Sequence, residues 1–293
     1  MPRLDRLATL YVFYPLQRYA PSGESGIPIL IYHSISEATE RKVHPYYWTA
    51  TTPAIFADQM RHLHEQNYTT VSLQDAARWI EAPTVKREKL VVLTFDDGYR
   101  DFYTHAFPTI KRYGFGATVF LPTAYIGETP RRFNGADCLT WNQVRDLSRA
   151  GVQFGSHTVT HPQLRTLKAE AIRDEVKCSK ETIEEKLGCP VKSFAYPFAL
   201  PETDRAFRQR LQEILEETGY ENGVSTIIGT ADQAGDRFLM KRLPVNSADD
   251  PRLFEAKLVG AYDWLHAFQY AWKIKPSYFS SGASTPENGT VSD

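Results

Sequence analysis

Lys89-Leu90-Val91-Val92-Leu93-Thr94-Phe95-Asp96-Asp97-Gly98 is the stretch from which the fold can be read. Up to Phe95 it is apolar almost without interruption, as a strand buried on both faces of a parallel sheet or barrel must be. Such a strand delivers Asp96 and Asp97 to its carboxyl end, where barrels and open α/β sheets build their active sites, and Gly98 permits a tight exit. Adjacent side chains on a strand point to opposite sides, so the two aspartates are expected to divide the work: one binds metal while its neighbour handles a proton. The plain alternative is a surface turn, since Asp-Asp-Gly is a common loop sequence.

Outward from this strand, short apolar segments alternate with helical patterns. Strands are expected near 28–32, 69–72, 90–95, 117–121, 152–155, 193–196, 223–227 and 240–245, with helices over 53–66, 101–113, 140–150, 168–187 and 203–218. That rhythm predicts an α/β fold of parallel strands joined by right-handed crossovers. A chain of 293 residues with 42% hydrophobic content can bury one large core, so a single catalytic domain suffices. A formal net charge of -1 argues against a nucleic-acid binder held by bulk electrostatics. Cys138, Cys178 and Cys189 form no Cys-x-x-Cys pair and read as reduced structural thiols.

A second motif answers the aspartates: Ser156-His157-Thr158-Val159-Thr160-His161. The glycine-bounded Gly151 to Gly155 reads as a strand, and Pro162 pushes His161 towards extended geometry, so the pair is expected in a loop. Two neutral imidazoles and a carboxylate suit zinc and leave a position open for water. Two solvated histidines are the ordinary alternative, and the strand-end aspartates weigh against it.

These residues resemble the polysaccharide deacetylases, the NodB homology domain of carbohydrate esterase family 4, over about Ile27 to Val245. Thr94-Phe95-Asp96-Asp97-Gly98 matches the family's first motif unbroken, and His157 to His161 matches its second. The resemblance implies a distorted (β/α) barrel of seven strands, with Asp97, His157 and His161 as metal ligands and Asp96 as catalytic base. It also implies a divalent metal, zinc first, with cobalt, nickel or manganese as alternatives. The third motif departs. Ser193-Phe194-Ala195-Tyr196-Pro197-Phe198-Ala199 carries Ala195 where many members have an arginine, and resembles the branch with Phe-Ala-Tyr-Pro-Phe-Gly. Arg242, in the late strand from Met240 to Val245, is the candidate to replace that arginine; an ordinary strand-end arginine is the alternative.

Release of an amine needs a general acid, and histidine is best poised for it near neutral pH. His33, at the end of the strand from Ile27 to Tyr32, ranks first, with His44 next; a structural histidine at the barrel mouth is the alternative. His62 and His64 read as solvated on a helix whose apolar face is Phe56, Met60 and Leu63. Tyr99 and Trp141 could stack on sugar faces or belong to the core. Tyr196, Pro197 and Phe198 are substrate-contact candidates, the Tyr196 backbone N–H among the donors expected to stabilise an oxyanion. The polar and aromatic run His44-Pro45-Tyr46-Tyr47-Trp48 reads as a wall of the cleft or as a packed loop.

Residues 1–26 read as an N-terminal arm, too short in apolar length to span a membrane but able to touch one peripherally. Residues 27–275 form the expected barrel domain, and 276–293 are rich in Ser, Gly, Thr and Pro and should be disordered. A cytoplasmic or membrane-peripheral location is favoured over secretion, and the sequence leaves the oligomeric state open. The expected function is metal-dependent removal of N-linked acetyl groups from an N-acetylglucosamine-containing poly- or oligosaccharide. Alternatives are an O-acetyl esterase or small-amide hydrolase on the same fold, and a non-catalytic carbohydrate-binding descendant.

Overall fold

The computed structural model describes residues 3–17, 26–38, 44–82, 89–232 and 235–274, apart from the side chains of 272–274. The expected disordered tail, 276–293, lies outside them.

Seven parallel strands close into a barrel: β1 Ile29–Tyr32, β2 Leu90–Phe95, β3 Thr118–Leu121, β4 Gln153–Ser156, β5 Ser193–Ala195, β6 Asn222–Ile228 and β7 Met240–Pro244. Their order around the wall is β1-β7-β6-β5-β4-β3-β2, and β2 closes the ring against β1 with Ile31 opposite Thr94 and Tyr32 opposite Phe95. The short strand Thr69–Thr70 pairs with β2 beyond the ring. The β6–β7 register shifts between Val224 and Ile228, which bends this side of the wall.

The period of two along each strand sorts its side chains. Ile29, Val92, Phe120, Ala195, Val224 and Met240 form one buried cluster with Leu73, Ala76, Ala77 and Ile80 of the helix Leu73–Glu81. The larger cluster takes the alternate positions, among them Leu30, Val91, Leu93, Val119 and Leu243, together with the outer helices. At the same period of two, Val92 is followed by Thr94 and Asp96, and Met240 by Arg242. A hydrophobic barrel interior therefore becomes polar at its carboxyl end, as the sequence of β2 implied.

The outer helices match the periodicity: Pro53–Glu65, Trp141–Arg149, Ala169–Leu187 and Arg205–Glu217. Thr140 and Gln143 build a capping box at the second of these. The helix expected over 101–113 opens instead with a π-helical turn, Phe102–Ala106, before Phe107–Arg112. His64 is exposed as expected, but His62 is half-buried, its Nε2 in the interior and its ring edge-on to Phe254 at 5.8 Å. The helix Pro251–Leu258, beyond the periodic segments read from sequence, covers it.

The N-terminal arm is helical from Leu4–Ala8 through a π-helical Thr9–Phe13 to Tyr14–Gln17. Leu10 packs on Ala256 and Ala261, Phe13 stacks on Trp264 at 4.8 Å, and Arg3 Nη1 donates to Asp249 Oδ1 at 3.0 Å. Among the described residues no helix is long and apolar enough to cross a membrane.

Candidate active site

Asp96 continues the β2 ladder by donating its N–H to the Tyr32 carbonyl at 2.9 Å. The chain then leaves the strand at once: Asp97 has φ 70° and Gly98 φ 59°. The positive torsion at Gly98 favours glycine, and a Cβ there would lie 2.8 Å from Leu121 Cδ2, so that side chain would have to shift. This turn corrects one sequence expectation. Because Asp97 is no longer in strand geometry, the two aspartates do not face apart; both line one cleft of about 390 Å³, with His33, Tyr99, His157 and His161.

The histidines come from the loop after β4. His157 Nδ1 lies 2.8 Å from the Ala195 carbonyl, which can only accept, so that nitrogen carries the proton and Nε2 keeps its lone pair for the cleft. His157 Nε2 is 3.6 Å and His161 Nε2 3.5 Å from the same atom, Asp97 Oδ1. Pro162 does not hold His161 in extended geometry: His161 has φ 56° and Thr158 φ 68°. Such torsions persist in a β-branched residue only where surroundings enforce them. Here Thr158 Oγ1 accepts the His161 N–H at 3.0 Å, while Glu175 holds the turn between the two histidines. Its Oε2 accepts the Val159 and Thr160 N–H groups at 2.8 and 2.9 Å, and Oε1 accepts the Thr160 hydroxyl at 2.6 Å. Glu175, on the helix Ala169–Leu187, is a site residue that sequence reasoning missed. Its charge on an otherwise ordinary amphipathic helix gave no signal.

The donors of Asp97, His157 and His161 lie within 4.8 Å of one another. Asp97 Oδ1, between the imidazoles, is buried without a hydrogen-bond partner among the described residues, which is costly for a carboxylate oxygen unless a cation completes it. Burial lowers the His161 imidazole to about 4, so it is neutral and able to ligate at pH 7. One carboxylate and two neutral imidazoles fit a divalent cation and leave room for a further ligand.

Asp96 stands beside this cluster, its Oδ2 3.9 Å from His157 Nε2. Arg242 grips it with two bonds, Nη1 to Oδ1 at 2.7 Å and Nη2 to Oδ2 at 2.8 Å. Nε of Arg242 donates to the Ser225 carbonyl at 2.9 Å, Nη1 also reaches Thr94 Oγ1 at 3.2 Å, and the guanidinium lies over the Phe120 ring. Burial pushes the Asp96 carboxyl up, but the Arg242 guanidinium, by its charge and its paired hydrogen bonds, outweighs that and holds the group well below the usual carboxylate range.

Comparison with known proteins agrees with this geometry. Residues 84–223 match the family model for polysaccharide deacetylase. The chain belongs to the polysaccharide deacetylase family. A Bacillus subtilis protein provisionally named the polysaccharide deacetylase YxkH is 29% identical over 220 residues, covering 75% of this chain and 71% of its own. The poly-β-1,6-N-acetyl-D-glucosamine N-deacetylase of Escherichia coli is 31% identical over 149 residues, 47% of this chain but only 21% of that protein. The Streptococcus pyogenes deacetylase PplD, solved in complex with acetate, shares the fold with a TM-score of 0.69 and 26% identity, over 80% of this chain and 99% of PplD. As a polysaccharide deacetylase, the chain is a hydrolase of carbon–nitrogen bonds other than peptide bonds, built on the family's (β/α) barrel.

For the deacetylase site, the structure gathers Asp96, Asp97, His157, His161, Arg242 and His33 at one rim, with Tyr99, Tyr196 and Phe198 lining the same cleft. The Phe198 ring is half-exposed and lies 4.6 Å from the His161 ring. Three expectations fail. Trp141 is buried at the start of its helix in the large core cluster and does not line the cleft. Pro197 is buried between Tyr196 and Phe198 without lining the cleft itself. The Tyr196 N–H donates to the Val224 carbonyl at 3.0 Å, continuing the β5–β6 ladder, and so is not free to stabilise an oxyanion. His44 caps the short helix Pro45–Tyr47, its Nδ1 accepting the Tyr46 N–H at 3.2 Å, which leaves His33 as the acid candidate at the rim.

Proposed function

We propose that this deacetylase removes N-linked acetyl groups from a β-linked N-acetylglucosamine polymer or oligosaccharide. The observation that carries the reading is the pairing of an Asp97–His157–His161 donor set with a separately held carboxylate, Asp96, at one end of the barrel. The likeness to the E. coli deacetylase of poly-β-1,6-N-acetyl-D-glucosamine supports the polymer.

Asp97, His157 and His161 would hold a divalent cation, zinc by the borderline softness of the donors, with cobalt, nickel or manganese as alternatives. Bound there, it would supply Lewis acidity towards an acetyl carbonyl and acidify a water molecule. Asp96 is ionised across the physiological range and takes the proton of the attacking water. Arg242 occupies one lone pair on each Asp96 oxygen and fixes the carboxylate plane, so the remaining lone pairs point in set directions. His33, partly exposed in the cleft, protonates the departing amine. Tyr99 keeps its proton, because burial and the charge of Asp97 raise it well above the ordinary tyrosine range, and can donate to the substrate.

The test compares acetate release from β-1,6-linked N-acetylglucosamine oligomers with release from acetylated xylan. Release from the amino-sugar oligomers alone is expected; release confined to xylan would replace this reading with an O-acetyl esterase. Contact of the N-terminal arm with a membrane surface is part of the proposal, supported by the exposure of Leu4, Leu7, Tyr11 and Val12.

A further inference from the structure

His33 sits where the chain leaves the barrel wall. β1 ends at Tyr32, whose carbonyl still takes the Asp96 N–H, and two residues on, Ser34–Ile35 pairs in parallel with Ala50–Thr51 as a separate two-stranded sheet. His33 is therefore the joint between two sheets. Beyond it the backbone is held loosely at first: the Ser34 N–H reaches the Thr49 carbonyl at 3.3 Å, and only the Ser36 N–H makes a good bond, to the Thr51 carbonyl at 3.0 Å. Side chains supply a further tie. Ser34 Oγ donates to Asp101 Oδ2 at 2.5 Å, and Ser36 Oγ lies 2.7 Å from Ser34 Oγ, so two hydroxyls and a carboxylate form one chain.

Asp101 belongs to the other half of the site. It follows Asp96 and Asp97 at the end of the turn that carries them, and that turn is pinned from outside. The Arg100 N–H donates to the Asp137 carbonyl at 2.8 Å, the Leu139 N–H donates to the Gly98 carbonyl at 2.9 Å, and Tyr99 bridges to Cys138. The Asp101 carboxylate is thus fixed relative to both aspartates. Through Ser34 it sets where the preceding residue, His33, stands. Two local roles that would otherwise explain an aspartate here are not taken up. It stands at the N-cap of the π-helical turn Phe102–Ala106 without making a capping bond. Among the described residues no lysine or arginine pairs with it, and burial raises its carboxyl, so the group is costly to keep where it is.

We infer that Asp101 is a positioning residue for the reaction: through Ser34 it holds His33 in place relative to Asp96, so that acid and base address one substrate. The inference rests on the proposed role of His33, and a double-substitution cycle separates the two. Acetate release from N-acetylglucosamine oligomers is measured for Asp101→Ala, His33→Ala and the two combined. Asp101→Ala is expected to lower kcat about tenfold in the native chain but at most about twofold in the His33→Ala background, with KM and bound zinc unchanged in each. Asp101→Asn, which keeps an oxygen for the Ser34 hydroxyl, should recover most of the loss. Ser34→Ala, a smaller change that leaves the carboxylate in place, should give the same cycle and carries the test if Asp101→Ala does not fold. An equal loss in both backgrounds, a fall in bound zinc that matches the fall in kcat, or native rates for Asp101→Ala and Ser34→Ala overturns the inference and leaves the proposed reaction standing. Native release by His33→Ala overturns the acid assignment of the proposed function, and the positioning role falls with it.

Discussion

Asp96 is a buried carboxylate whose ionised form depends on a single buried guanidinium. Arg242 supplies two charge-assisted bonds to it, and the remainder of the guanidinium is satisfied by Ser225 and Thr94. Taking away one partner of such a pair costs about 3–5 kcal/mol, because the other charge is left in the interior. The folded-state value of Asp96 lies below its ordinary one, so the pair's contribution is complete above the usual carboxylate range and fades as pH falls through it. Arg242→Met should then raise the Asp96 value, moving the acid limb of the kcat/KM profile to higher pH and lowering the midpoint of urea unfolding. An unmoved acid limb would mean that Asp96 is not the group titrating there. Glu175 acts one step further out, through the backbone between the two histidines. Glu175→Ala should weaken cation binding about 10- to 100-fold in a chelator-competition titration, as loss of supporting contacts to metal ligands does, while circular dichroism of the metal-free chain stays unchanged.

At the scale of elements, the arm from Leu4 to Gln17 presents Leu4, Leu7 and Tyr11 at helical spacing on its exposed side. If that stripe meets a lipid surface, the chain should float with anionic vesicles, and Leu7→Glu with Tyr11→Glu should abolish flotation without affecting acetate release from soluble oligomers. The strands were legible in the sequence because a barrel strand buried on both faces must be continuously apolar, as β2 is. Period-two spacing likewise carries from Met240 to Arg242 and from Val92 to Asp96, so their meeting inside the barrel follows from register alone. Turn geometry was less legible. Pro162 favours an extended His161, but Thr158 and Glu175, the latter fourteen residues further on in the chain, impose the opposite torsion sign. The commitment of the Tyr196 N–H to Val224 likewise depends on which strand lies beside β5, a tertiary fact. Trp141 shows the same limit: an aromatic at a helix start reads alike whether it faces a ligand or the core.

Over the whole molecule, hydrophobic closure and polar chemistry are separated along one axis. The helix Leu73–Glu81 packs against the apolar interior of the barrel, and the charged groups gather where the strands end. The segment Tyr46–Trp48 and the helix Trp264–Ile274, distant in sequence, line a second cavity at that charged end, with His33 common to both. At that charged end the proposed labour is divided: Asp97, His157 and His161 hold the cation while Asp96 moves the proton. The division is tested most directly by measuring bound zinc and acetate release together for the native chain and for Asp96→Asn. One zinc per chain is expected in both, with release lowered about 10²- to 10⁴-fold in the variant. Near-native release by Asp96→Asn, or loss of its zinc, would contradict it.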